Sequence, residues 1–446
     1  MSSFAASATR STRASKSSST LEAAWSASSV ATETEGPRRR GRCPPIAFRG
    51  EVETLPVTNG SEEGSLLLGA LRSCISRFDS SLDPSAAEIL EFPTFLACNV
   101  DGVAHVLIVS ISTADIGGYL AFASRSGARA INLYASPAML GGASLPLASR
   151  VLSVLSLQGE GFKVPVTVYS VATGQLEPVS SGSDLQLVVQ DGDARREFLS
   201  QEGSGEVVEL VLKSGCEALF VKDRMIATHL GLEVARSVRS DGRVRLEIGV
   251  GRNDRIAKAL LDETATSAEQ LRETIEVVNR YRLGASQFHP LAKLSLARWM
   301  RLVIHDNPGL VGMKQLTPLE LVRSGGWPGW SLWSLKTGSV PLDEDALIYR
   351  GSESSFGDDD ISFAIASDEE GGESVVGITA AVDLGAVAKL YEVVRSAKAA
   401  GRKIRGSILV MQERNKIVPI ERLVDLASFG LRSVTFSPSW KMIDRY

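Results

Sequence analysis

Three acids near the middle of the chain, Glu233, Glu247 and Asp254, have the most chemistry to offer. Carboxylate oxygens are the donors that Mg2+ takes, and an ion so held could orient a water against a phosphodiester. Arg245 and Arg252 stand close by in sequence and would neutralise phosphate charge. In this reading Glu233, Glu247 and Asp254 are both metal ligands and catalytic groups. Arg245 assists catalysis, Arg252 binds substrate, and Mg2+ is the cofactor. The competing reading, which we prefer, is a sheet side facing solvent with cross-strand polar pairs; under it the cofactor is unknown.

The elements carrying these acids decide between the two. Leu232–Val238 and Val244–Val250 both alternate, joined through Asp241-Gly242, which is a hairpin signal. A two-residue turn would set Arg236 opposite Glu247 but split the apolar residues between faces. A slip of one, through a three-residue loop with left-handed Gly242, aligns them and is the register expected. Ser237 then faces Glu247, and Glu233 lies about 13 Å along the strand, too far to share a cation unless the strand bulges. Asp254, in the stretch Gly249-Val250-Gly251-Arg252-Asn253-Asp254, would open a helix.

Other candidates are binding residues. Arg298, Arg301 and His305 recur at helical spacing, a stripe that would touch a nucleic-acid backbone or, in the preferred reading, form the charged exterior of an amphipathic helix. Trp327, Trp330 and Trp333 crowd a turn-rich segment, either as a recognition surface or as anchors burying large area. His105 reads as a hydrogen-bonded strand residue, and His289 as a packing or capping residue.

The framework around them is α/β: two strand–helix–strand units with mostly parallel sheets, plus a central α+β region holding the hairpin. In the first unit, Leu66–Phe78 is a helix, 87–92 a short helix, Val103–Ile111 a strand after the Asp101-Gly102 turn, and a helix starts near Asp115. Arg129–Tyr134 follows as a strand, Ala148–Leu155 as a helix and Val164–Val171 as a strand. The centre is read as strands at Leu185–Val189, Val207–Leu212 and Ala218–Val221, then a helix at Arg224–Leu230. Helices follow at Ile256–Leu261, Ala268–Tyr281 and Leu291–Ile304, the second with capping-box spacing at Thr266 and Glu269. The last unit reads as strand Ser374–Ala381, a helix after Asp383, strand Arg405–Met411, helix Ile420–Ala427 and strand Leu431–Phe436. Its order repeats that of the first unit, which suggests duplication by architecture rather than by residue identity.

The expected divisions are a basic, Ser-rich tail at 1–46, the two α/β units at 64–172 and 361–446, the central region at 173–305, and an irregular Trp-rich and acidic linker at 306–360. The tail's few large apolar groups cannot offset the entropy of ordering it. Its Arg- and Ser-rich, acid-poor start also resembles an organelle-targeting peptide in composition.

A formal charge of -4 gives no general reason to bind nucleic acid or anionic lipid. The four scattered cysteines, with no CxxC pair, argue against a disulfide framework or a thiolate zinc site and fit a reducing, cytoplasmic setting. Neither GxGxxG after a strand nor GxxxxGK[ST] occurs, so no phosphate-loop fingerprint is present. The functional expectation is a soluble scaffold or protein-interaction component, its partner another protein or a second copy of the chain. Nucleic acid is the lesser partner, and no membrane is involved. The alternative is a divalent-metal phosphodiester hydrolase of nuclease type.

Overall fold

The structure is a computed structural model. It describes residues 62–85, 87–92, 94–109, 115–135, 161–172, 175–178, 185–190, 192–221, 224–250, 254–255, 258, 266–283, 291, 294–323 and 361–436, all within the unit Pro56–Tyr446. The tail, the expected helix at Ala148–Leu155, the three tryptophans at 327–333, His289, Arg252 and the acidic run at 353–360 lie outside the described residues.

In the first α/β unit, helix α1 (Glu62–Phe78) precedes a short strand β1 (Leu90–Glu91), where a helix was expected. The hydrophobic run 87–92 is too short for stable helical turns and instead pairs with the next strand. Asp101 and Gly102 take left-handed angles, φ 51° and 77°, and fold β2 (Phe95–Val100) onto β3 (Val103–Ile108). Helix α2 (Asp115–Arg125) then carries the chain to β4 (Ala130–Ala135), parallel to β3. Strand β5 (Val166–Ala172) is parallel to β4, and β6 (Gln175–Pro178) closes the edge antiparallel.

Side chains alternate across this sheet. Leu96, Cys98, Leu107 and Tyr134 meet α1 on one face, while Phe95, Ala97, Val106 and Leu133 join the main core on the other. His105 lies on the α1 face, fully buried, and its Nδ1 shares a 2.7 Å hydrogen bond with the Tyr134 hydroxyl. It is the hydrogen-bonded strand histidine that the sequence indicates, its buried Nε2 has no partner among the described residues, and burial pushes its pKa down to about 4.

The chain next gives β7 (Leu185–Val189), α3 (Gly192–Leu199) and α4 (Ser204–Lys213). Helix α4 replaces the strand expected at Val207–Leu212. Val207, Val208 and Val211 are its buried apolar residues, a helical stripe that outweighs the β-propensity of valine. Four antiparallel strands follow: β8 (Glu217–Val221), β9 (Arg224–His229), β10 (Leu232–Ser240) and β11 (Arg243–Ile248), in the order β11-β10-β9-β8. Strand β9 falls where a helix was expected; Leu230-Gly231, both left-handed, supply the tight turn that returns it into β10. Helix α5 (Ser267–Arg282) starts with the capping box predicted, Thr266 and Glu269 exchanging hydrogen bonds. Helix α6 (Leu296–Asp306) starts later than its apolar pattern, after a left-handed Ser295.

The last unit draws on two distant segments. Strand β12 (Gln315–Arg323), inside the stretch expected to be irregular, pairs with β7 and with β13 (Ile361–Ser367). Pro318 disguises β12, because proline lacks a ladder donor. Its carbonyl accepts from Gln190 N at the very end of β7, so the missing N–H faces the point where pairing stops. Strand β14 (Glu373–Thr379), helix α7 (Ala386–Ala399), β15 (Ile404–Met411), helix α8 (Val418–Leu426) and β16 (Leu431–Thr435) complete a sheet ordered β16-β15-β14-β13-β12-β7.

The two outer units thus share one plan: an antiparallel hairpin whose second strand begins a parallel run of three. Helices α2, α7 and α8 fill the space between them in one continuous core. Gly117 of α2 lies against the Leu384 backbone, where any side chain would collide. The segments leading into β5 and β16 exchange contacts reciprocally. Phe162 bridges Ala427, Lys163 N donates to Leu426 O (2.8 Å), and Ser428 N donates to Gly161 O (3.0 Å). Equivalent segments touching each other is what a two-fold arrangement produces. No helix among the described residues is long and apolar enough to cross a membrane.

Candidate functional site

The hairpin takes the register that the apolar alignment argued against. Ser240 pairs with Arg243 across Asp241-Gly242, whose φ angles of 52° and 80° mark a type I′ turn, and Arg236 stands opposite Glu247. The slip was expected on the premise of one wet face. Here both faces are covered: Leu232, Glu233, Val234 and Ala235 are all buried in succession. Helices α3 and α4 lie over one face, where Phe198 meets Phe220. Helix α5 lies over the other.

Strand β10 also bulges. Glu233 pairs with Thr228 of β9 while Ala235 pairs with the adjacent Ala227, so Val234 is the extra residue. The bulge turns Glu233 onto the face of Arg236 and Glu247, although an i, i+3 spacing in a regular strand would separate them. One Glu233 oxygen accepts from Arg236 Nε at 2.7 Å and from Arg255 Nη1 at 3.0 Å. Asp254 and Arg255 are helical. Asp254 Oδ2 accepts from Val250 N at 2.7 Å and lies 3.8 Å from Lys258 Nζ, while Lys258 also contacts Thr274 of α5. Gly249 (φ 144°) permits this approach, since a Cβ there would sit 2.8 Å from Arg255 N.

The expected acids therefore share a neighbourhood but face cations. Glu233 is clasped by two guanidiniums, Asp254 caps the backbone, and Glu247 contributes to the field at Arg255. Among the described residues no three His, Cys, Asp or Glu side chains are placed to hold a metal ion, so the Mg2+ site read from Glu233, Glu247 and Asp254 has no geometry to support it. Arg298 and Arg301 turn inward, contrary to the charged exterior expected. Both bind Glu320 of β12, at 3.0 and 2.8 Å, and Arg301 also donates to the carbonyls of Leu319 and Phe363. Burial works to raise the Glu320 pKa, but the two arginines prevail and hold it below the usual carboxylate value. His305, the third member of that stripe, lies beside Asp306 at 3.2 Å.

On the outer edge of β11, Leu246 is half-buried, and Val244 and Ile248 are buried. A groove of about 440 Å3 runs along it, within the size range of ligand sites. In an antiparallel ladder, successive residues direct their N–H and C=O alternately to the partner and away from it. Val244 N donates outward to Glu202 O at 2.9 Å, so Leu246 and Ile248 present their backbone groups on the same outer edge. No backbone bond from another described residue reaches them there. The groove has two unlike walls. Glu206, Val207 and Leu210 of α4 line it with Val244, Leu246 and Ile248; Arg245, Glu247, Arg255, Lys258, Ser267 and Gln270 line it on the α5 side.

Of the residues singled out from sequence, Arg245 and Glu247 belong to this groove, while Glu233 and Asp254 support it from beneath. Arg255, Lys258 and Gln270 were missed. A signal did exist for the first two, which follow Asp254 closely in sequence, but only the bulge shows that they meet the hairpin. Compared with protein-family models, with curated proteins and with solved structures, the chain finds no match.

Proposed function

We propose that the protein is an interaction component that takes an extended polypeptide segment along β11. The observation carrying this reading is the open strand edge inside a groove: Leu246 and Ile248 offer donors and acceptors in register for an added strand. Native sheets blunt exposed edges because they recruit strands. Here α4 and α5 flank the edge without covering it. Main-chain hydrogen bonds would provide affinity and the two walls would select side chains.

The test is selection of ten-residue segments from a displayed random library on the full chain, repeated with Leu246→Pro. Proline at an outward-facing position removes an edge donor without touching the β10 ladder. Segments captured by the parent chain and lost by Leu246→Pro support the reading. Segments that bind both chains equally, or no captured segments, overturn it.

A further inference from the structure

Resting on that reading, we infer that the groove takes the free amino terminus of a chain rather than an internal stretch. The edge of β11 is closed at one end. Val244 N donates to Glu202 O at 2.9 Å, and Gly203 sits so close to the Val244 carbonyl that a Cβ on it would lie 3.1 Å from that oxygen. A strand added beside Leu246 and Ile248 therefore stops at Val244, because the corner between α3 and α4 fills the space where its next residue would run. Two chain ends fit such a stop: the carboxyl end if the strand is antiparallel to β11, the amino end if it is parallel.

Charge at the corner separates them. Arg243 lies between two carboxylates, 3.4 Å from Glu202 and 3.8 Å from Glu206, and Glu206 also lines the groove. Further along, Arg245 lies near Asp241, Arg255 near Glu233 and Lys258 near Asp254, so those cations have carboxylates of their own. The N-terminus of α4 adds about half a positive charge, which leaves the corner on the acidic side. An ammonium group is favoured there and a carboxylate disfavoured. In the parallel arrangement the first residue's carbonyl accepts from Leu246 N. The third residue donates to Leu246 O and accepts from Ile248 N, and the amine comes to lie beside Val244 O and the two acids.

An octapeptide of alternating Ser and Val, in three forms that differ only at their ends, tests this by calorimetric titration of the full chain at low salt. One form has a free amine and a carboxyl-terminal amide, the second is acetylated and amidated, and the third is acetylated with a free carboxylate. Both acids are exposed, so the free-amine form should bind about fivefold tighter than the acetylated amide, the scale of a surface ion pair. That advantage should fade as pH rises past about 8, where the amine loses its proton. Glu206→Gln should narrow it while circular dichroism stays unchanged. Equal binding of the amine and acetylated forms leaves strand addition intact and overturns the preference for an amino terminus, as does an advantage that ignores pH. Tightest binding by the carboxylate form overturns the choice of end. Failure of every form to bind overturns strand addition and the preference together.

Discussion

The interface between the two outer units and the centre of the molecule hold the chain together in opposite ways. Between the units, α2, α7 and α8 pack largely through apolar groups, with Lys389 of α7 buried on Asp383, and the backbone closes so tightly that Gly117 admits no side chain. At the centre, buried guanidiniums and carboxylates meet on two sheets: Arg236 and Arg255 on Glu233 of β10, Arg298 and Arg301 on Glu320 of β12. The first arrangement gains from area removed from water. The second fixes geometry through directional contacts at a cost in desolvation, and it leaves β11 open. The apolar half is built for permanence, and the charged half for positioning a surface.

Substitutions sharpen this contrast. Tyr391 packs against Phe162 and Phe429 at the unit interface. Tyr391→Ala should cost about 4 kcal/mol of unfolding free energy, as for other large buried rings cut to alanine, measured by urea denaturation. A loss below about 1 kcal/mol would mean that the two units do not share one cooperative core. Glu233→Gln should cost about 3 kcal/mol, because it removes the charge facing two buried arginines. Replacing Glu233, Arg236 and Arg255 together with apolar residues of similar volume should recover most of that loss while disordering the groove wall. If the triple variant is as damaged as the single one, the cluster holds the fold itself rather than local geometry.

The pH response separates the regions more gently. His105 titrates near 4 when folded and near 6.5 in its ordinary state. Between those values the unfolded chain binds a proton that the folded chain refuses, so stability falls as pH drops through this window. His105→Gln should flatten that part of the stability curve. An unchanged slope between pH 6.5 and 4 would place the sensitivity elsewhere.

Much of the outer architecture was legible in the sequence because each element declares itself locally. The run Val103–Ile108, the helix after Asp383 and the capping box at Thr266 follow from residue type and spacing. The failures lie where a distant partner decides. β12 hides behind Pro318, which is harmless only because β7 ends beside it. The hairpin register was misjudged because a rule for half-wet sheets met a sheet covered on both faces. The bulge at Val234 leaves no mark in the sequence, yet it places Glu233 beside Arg236 and Arg255. The groove was half visible: Arg245 and Glu247 could be singled out, but that β11 is an edge strand depends on what does not pair with it.

Amide hydrogen exchange along β11 in the uncomplexed full chain tests the open edge most directly. Arg245 and Glu247, whose amides face β10, should be protected, and Val244 should be protected through Glu202. Leu246 and Ile248 should exchange at least tenfold faster than their neighbours, giving an alternating pattern. Uniform protection from Val244 to Ile248 would show that this edge is already occupied, and would contradict the proposal that it receives a partner strand.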